Sequence, residues 1–86
     1  MGSIPVFSQN VITGKVIDAT GEPLIGVSIG VKGTALGVTT DQQGKYSISV
    51  PDKSILKFTY IGYEPQEINI KNQKAINVTF KTKTNY

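Results

Sequence analysis

The fold class of this chain is decided by residues 45–50, KYSISV, in which polar and apolar side chains alternate strictly. Successive side chains of a β-strand point to opposite faces, so Tyr46, Ile48 and Val50 share one face. Turn-forming residues border the stretch on both sides, with Asp-Gln-Gln-Gly at 41–44 before it and Pro-Asp at 51–52 after it. These features predict a strand with one buried face, preceded by a tight hairpin loop.

The same alternation continues on both sides of this strand, with turn residues about every 8–12 positions. Apolar residues at helical spacing do not extend beyond about one turn, and β-branched residues are frequent. The chain therefore contains seven predicted strands, at residues 11–18, 26–32, 36–40, 45–50, 55–61, 65–70 and 75–81. Strands that each have one apolar face need a second sheet to cover it, so we expect an all-β, seven-stranded sandwich.

One face of each strand supplies the predicted core. In the first strand, Ile12, Gly14 and Val16 share one face, and in the second, Val27, Ile29 and Val31 do. The residues expected to point inward in the later strands are Tyr46, Ile48, Val50, Leu56, Phe58, Tyr60, Ile68, Ile70, Ile76, Val78 and Phe80. They are enough for one thin two-layer core in a single domain.

Composition removes several classes of function. The 86 residues include no cysteine and no histidine, the side chains most used as nucleophile, general base near neutral pH and transition-metal ligand. The net charge is +3, and all nine cations are lysines scattered singly along the chain. Nucleic-acid recognition usually relies on arginine, so we expect no nucleic-acid partner.

The remaining polar residues do not form a catalytic pattern. Asp18, Asp41 and Asp52 lie in predicted turns, where aspartate commonly accepts hydrogen bonds from nearby backbone, and no acidic D-x-D-x-D spacing supports calcium binding at Asp41. Ser54 and Lys57 would lie on opposite faces of a strand. We therefore expect no enzyme activity, no metal and no cofactor.

The two ends of the sequence carry no strand pattern. Residues 1–9 are interpreted as an expression scar followed by either the tail of a signal peptide, with a cleavage site after Ser8, or a disordered lead. Residues 82–86 are interpreted as a disordered tail or a linker to a further domain, which leaves 10–81 as the folded unit. No apolar run is long enough to span a bilayer, so we expect no direct membrane insertion.

One short segment, YIGY at 60–63, could expose aromatic side chains. Tyr60 and Tyr63 border a glycine where the chain is expected to turn. Two readings remain open: a platform that binds a protein partner or a sugar ring, or tyrosines packed over a corner of the sandwich with their hydroxyls on backbone. Tyr60 and Tyr63 are the candidate partner-binding residues.

Several motifs in this order and spacing resemble the carboxypeptidase-regulatory-like (CarboxypepD_reg-like) domain. They are GKVID at 14–18, GEPLIGVSI at 21–29, VKGT at 31–34, GVTTD-x-x-GKYSI at 37–48, VP at 50–51 and L-x-F-x-YIGY at 56–63. The resemblance is greatest to the version that forms the N-terminal extension of SusC-like TonB-dependent transporters in Gram-negative outer membranes, and it covers about residues 11–81.

The resemblance implies a transthyretin-like, Greek-key sandwich, export to the periplasm and continuation into a plug and β-barrel beyond Tyr86. It implies a non-catalytic accessory domain of an outer-membrane nutrient transporter, which contacts a protein partner or the transporter's own plug and barrel. The alternative is a carbohydrate-binding or adhesive module of a surface protein. Glycan could also be engaged through the parent protein.

Overall fold

The computed structural model describes residues 9–81, all of them in strands, turns and loops. The predicted interpretations of residues 1–8 and 82–86 lie outside the described residues. The seven strands are β1 Gln9–Asp18, β2 Ser28–Val31, β3 Gly37–Thr39, β4 Lys45–Pro51, β5 Ile55–Thr59, β6 Gln66–Asn69 and β7 Val78–Phe80. The predicted all-β sandwich is confirmed.

The strands form two sheets. The three-stranded sheet has the order β4-β1-β7 and the four-stranded sheet has the order β3-β2-β5-β6. All neighbours are antiparallel except β1 and β7, which pair in parallel with Val16 opposite Val78. Each sheet has one apolar face, and the two faces meet in a single core.

The alternation in β4 survives folding without a break. Tyr46, Ile48 and Val50 are buried, and the residues between them are exposed. Of the predicted inward residues, Tyr60 and Ile68 are only half-buried: Tyr60 lies beyond the last residue of β5, and Ile68 lies on β6, the edge strand of the four-stranded sheet. The buried Leu24, in the loop before β2, was not predicted because it has no alternating neighbours.

Gly14 allows β1 to pass close to β7. A Cβ atom at this position would lie 1.8 Å from the carbonyl oxygen of Ile76 and 2.9 Å from the ring of Tyr46. The Tyr46 hydroxyl uses this space to donate a hydrogen bond of 2.6 Å to the same Ile76 oxygen. Burial raises the pKa of Tyr46 to about 12, so the phenol remains a proton donor at any physiological pH.

The turns gather at two opposite ends of the sandwich. The tyrosine end consists of the turns at residues 19–27, 40–44 and 60–65, together with Lys81, the last described residue. The lysine end consists of the turns at residues 32–36, 52–54 and 71–75. Backbone hydrogen bonds hold the turns of each end together, for example Ile70 N to Ser54 O at 3.1 Å at the lysine end.

Candidate interaction site at the tyrosine end

The segment with the two candidate tyrosines is a tight turn rather than the end of a strand. β5 ends at Thr59, and Tyr63 N donates a hydrogen bond of 3.2 Å to Tyr60 O. Gly62 has φ of 86°, a backbone conformation that glycine adopts without steric cost at the third position of a type II turn. The predicted strand 55–61 was therefore two residues too long, and Ile61 lies at the tip of the turn.

The turn is attached to the core by stacked aromatic rings. The ring centroids of Tyr60 and Tyr63 are 5.6 Å apart, and those of Tyr63 and Phe80 are 5.7 Å apart with the planes inclined by 27°. Phe80 is fully buried in β7. Each tyrosine thus packs against the core and leaves part of its surface in solvent.

Sequence reasoning missed two exposed apolar residues at this end of the sandwich. Ile61 is 91% exposed, because the turn points its side chain away from the sandwich, and Ile25 is 54% exposed in the loop before β2. The neighbour of Ile25, Gly26, lines the same shallow groove as Tyr60, Ile61 and Tyr63. This groove has a volume of about 420 Å³. Ile25 lies outside the predicted strand 26–32, and Ile61 is out of phase with the inward residues Leu56, Phe58 and Tyr60, so their positions were the available signal for this exposure.

A buried threonine positions the loop that carries Ile25. The Thr40 hydroxyl donates a hydrogen bond of 2.6 Å to Leu24 O and accepts one of 3.0 Å from Val27 N. Thr40 O accepts a further bond of 3.1 Å from Gly26 N. The loop is therefore fixed on both sides of Ile25, next to the turn at Ile61.

Two aspartates stabilise turns at the same end. Asp18 Oδ1 accepts hydrogen bonds from the Thr20 hydroxyl at 2.6 Å and from the backbone N–H of Thr20 and Glu22, and these bonds lower the pKa of Asp18. Asp41 Oδ1 accepts bonds from Lys45 N at 2.9 Å and Gln43 N at 2.8 Å, which lower the pKa of Asp41. Both carboxylates accept hydrogen bonds from backbone N–H groups of their own turns, as predicted for aspartates in turns.

The other polar candidates also have structural partners. Asp52 accepts a hydrogen bond from the side chain of Asn10, and Ser54 donates one of 2.6 Å to Pro51 O. Within residues 9–81, no three acidic side chains come close enough together to hold a metal ion. Over the same residues there is no helix of the length and apolar character that a membrane span requires.

A second shallow groove, of about 490 Å³, lies on the outer face of β3, β2 and β5. Its outward-facing residues are small or flexible, and none of its lining residues is aromatic; they are Ser28, Ile29, Gly30, Gly37, Val38, Thr39, Lys57 and Thr59. A sugar ring usually stacks on an aromatic side chain, so this face does not have the composition of a glycan site.

Comparison with known proteins identifies the family to which the sequence motifs belong. The family model of the CarboxypepD_reg-like domain matches residues 12–86. TonB-dependent receptor P39 of Formosa agariphila is 43% identical over 86% of this chain, and TonB-dependent receptor SusC of Bacteroides thetaiotaomicron is 41% identical over 95% of it. The chain spans only 7% and 8% of the length of these two receptors.

Solved structures with low sequence identity share the fold. One is a type II cohesin–X-dockerin complex from Acetivibrio cellulolyticus, with a TM-score of 0.62 and 21% identity over 81% of this chain and 52% of that one. Another is 3-chlorocatechol 1,2-dioxygenase from Rhodococcus opacus, with a TM-score of 0.68 and 12% identity over 96% of this chain and 63% of that one. At such identities the likeness concerns the fold alone.

Proposed function

Because this chain belongs to the CarboxypepD_reg-like domain family, we propose that it is a non-catalytic accessory domain of a TonB-dependent, SusC-like outer-membrane transporter. In this proposal the domain lies on the periplasmic side of the outer membrane. It acts there through contacts with protein, and Tyr60 and Tyr63 contribute to the contact surface.

The observation that carries this proposal is the identity of 41–43% with TonB-dependent receptors over 86–95% of the chain. Two of the carboxylates considered for chemistry, those of Asp18 and Asp41, accept hydrogen bonds from the backbone of their own turns. The surface offers shallow grooves and an aromatic turn, features that suit contact with another protein surface better than enclosure of a small substrate.

The experiment compares the full-length parent transporter with a variant that lacks residues 10–81. Substrate uptake, binding of substrate at the cell surface and the amount of transporter in the outer membrane are measured in the same cells, and uptake is expressed per molecule of transporter. A matched control carries Lys57→Ala, a change on the outer face of β5 that leaves the domain in place.

We expect the deletion to reduce uptake per transporter by at least about tenfold while surface binding is retained, and Lys57→Ala to leave both unchanged. A tenfold change in uptake corresponds to a free-energy difference of about 1.4 kcal/mol. Unchanged uptake overturns the proposal. Unchanged uptake together with lost surface binding would in addition support the alternative, a carbohydrate-binding module.

A further inference from the structure

We propose that the tyrosine end is the surface through which this domain docks onto the part of its own polypeptide that follows Tyr86. This inference rests on the proposed function, because it assumes that the chain is a segment of a longer transporter. It extends that function by naming the surface and the occupant.

The first support is the placement of exposed apolar side chains. Four large apolar residues among the described side chains are more than half exposed: Val11, Ile25, Leu36 and Ile61. Two of them, Ile25 and Ile61, lie in turns of the tyrosine end. Ile61 lines the same groove as the partly exposed Tyr60 and Tyr63, and Ile25 directly precedes Gly26, which also lines it. Val11 lies on the outer side of β1 and Leu36 at the lysine end, where no aromatic ring accompanies it. A cluster of isoleucine and tyrosine side chains is the composition typical of the centre of a protein interface.

The second support is that this exposure is built into the turn. Ile61 is held at the tip by the bond between Tyr63 N and Tyr60 O and by the stacking of Tyr63 on Phe80. The loop with Ile25 is fixed by Thr40. Because the backbone of both turns is already fixed, a partner that covers them orders little additional backbone at this surface.

The third support is the course of the chain after β7. Glu64 N donates a hydrogen bond of 3.4 Å to Lys81 O, and the Gln66 side chain donates one of 2.9 Å to Thr79 O. Lys81 therefore lies against the turn that carries Ile61. Residues 82–86 can extend over about 17 Å at most, so a structured segment that follows Tyr86 begins within reach of the tyrosine end.

A short linker also explains how a small surface could hold the neighbouring segment in place. A neighbour joined by a short linker has an effective concentration in the millimolar range, so an apolar patch too small to capture a free partner can still hold a tethered one. The curated receptors are more than ten times as long as the matched segment, which spans 7–8% of them, so such a neighbour is available in proteins of this kind.

The charged residues around the tyrosine end indicate the kind of surface that would dock there. Acidic residues Asp18, Glu22, Asp41 and Glu64 lie in or beside the turns of this end, whereas its lysines are Lys45 and Lys81. A complementary surface would present apolar side chains at its centre and basic side chains at its rim.

The test uses the full-length transporter with the photoreactive residue p-benzoylphenylalanine in place of Ile61, and a matched control with the same residue in place of Leu36, which is 52% exposed at the opposite end. After irradiation in cells, cross-linked peptides are identified by mass spectrometry. We expect the Ile61 position to cross-link to peptides that follow Tyr86 in the same polypeptide, and the Leu36 position not to do so.

A second measurement avoids the bulky probe. Ile61→Asp in the full-length transporter should increase the rate of trypsin cleavage after Lys81 and Lys83 by about tenfold, because a buried charge weakens the docked state, and Leu36→Asp should leave the rate unchanged. Cross-links from Ile61 to a separate protein or to a second copy of the transporter, or equal results for Ile61 and Leu36, overturn the docking proposal. These readouts are independent of uptake, so docking can fail while the uptake result stands, and the reverse.

Discussion

Both ends of the sandwich have turn positions with left-handed φ, but different residues occupy these positions. At the tyrosine end every described position with left-handed φ is a glycine, whereas at the lysine end Lys53 and Lys71 adopt φ of 63° and 50° and only one such position is a glycine. A side chain in this conformation costs about 1–2 kcal/mol relative to the right-handed region. The turns at the tyrosine end therefore carry little backbone strain around their exposed apolar residues. At the lysine end, two turns place a charged side chain in a strained backbone conformation.

Exposure of an apolar side chain does not by itself distinguish the candidate interaction site from the lysine end. Leu36 at the lysine end is 52% exposed and Ile25 at the tyrosine end 54%, which are nearly equal values. What differs is the surroundings. The turn before Leu36 is held by Thr34 through more exposed hydrogen bonds, and the groove that Thr34 lines has no aromatic residue. The loop with Ile25, by contrast, is fixed by buried hydrogen bonds to Thr40, and its Gly26 lines the groove of the aromatic turn. The following predictions test this difference, beginning with the interaction on which the tyrosine end depends most.

The largest effect is expected for Thr40→Val. Thr40 is 4% exposed, and the substitution leaves Leu24 O without its donor and Val27 N without its acceptor in the interior. We expect the free energy of unfolding of the 86-residue chain to fall by about 2–3 kcal/mol, measured by urea denaturation. The matched control is Thr39→Val on the exposed face of β3, for which we expect a change within about 0.5 kcal/mol.

Thr40→Val should also act locally. Gly26 N donates to Thr40 O, so hydrogen exchange at Gly26 and its neighbours should accelerate more than exchange in the turns of the lysine end. Equal acceleration at both ends would mean that Thr40 stabilises the sandwich as a whole and does not specifically order the Ile25 loop.

Thr40 also illustrates where sequence analysis stops. The alternation in β4 predicted its buried face because a strand has a period of two, and the Gly-containing turns were located by their residues. Thr40, by contrast, shares a face with Val38 in the predicted strand 36–40, but alternation does not show what its hydroxyl contacts. The hydrogen bonds to Leu24 O and from Val27 N depend on the position of the Leu24–Val27 loop, which is set by long-range contacts. The parallel pairing of β1 with β7 was beyond the sequence pattern for the same reason.

The candidate site was predictable in part. Gly62 between two tyrosines indicated a corner with aromatic side chains, and the structure brings Tyr60 and Tyr63 together at 5.6 Å. Ile61 is out of phase with Leu56, Phe58 and Tyr60, so alternation in the predicted strand 55–61 already places it on the outer face. What a period-two pattern does not record is the type II turn between residues 60 and 63, which puts Ile61 at the tip.

A smaller effect, of opposite sign, is expected at the lysine end. Lys53→Gly and Lys71→Gly each remove a side chain from the left-handed conformation and retain the backbone N–H and C=O groups. Glycine also increases the entropy of the unfolded chain, so we expect a net gain in the free energy of unfolding of about 0.5 kcal/mol for each, measured by urea denaturation.

The matched control for these variants is Lys74→Gly, which removes the same charge at the same end. Lys74 is not among the described residues with positive φ, so glycine should lower stability there by about 0.5–1 kcal/mol. If all three variants changed stability in the same direction, removal of positive charge rather than relief of strain would be responsible.

The smallest effect concerns acid, and it should appear at the tyrosine end first. Asp18 and Asp41 accept hydrogen bonds that lower their pKa below the ordinary value of 3.8. A carboxylate with a lowered pKa in the folded state contributes stability above its unfolded pKa and loses it as the pH falls through the folded pKa. Both carboxylates are solvent-exposed, so the loss should remain local to the turns at residues 19–22 and 41–45.

The measurement is a titration of backbone amide chemical shifts from about pH 5 to about pH 2, which begins above the ordinary pKa of aspartate and continues below it. The amides of Thr20, Glu22, Gln43 and Lys45, which donate to the two carboxylates, should shift below the ordinary pKa of aspartate. In Asp41→Asn the amide oxygen still accepts these bonds but does not titrate, so the shifts at Gln43 and Lys45 should disappear while those at Thr20 and Glu22 persist. Asp52→Asn at the lysine end should leave all four unchanged; if it altered them, acid would act on the sandwich as one unit and the two ends would not be independent.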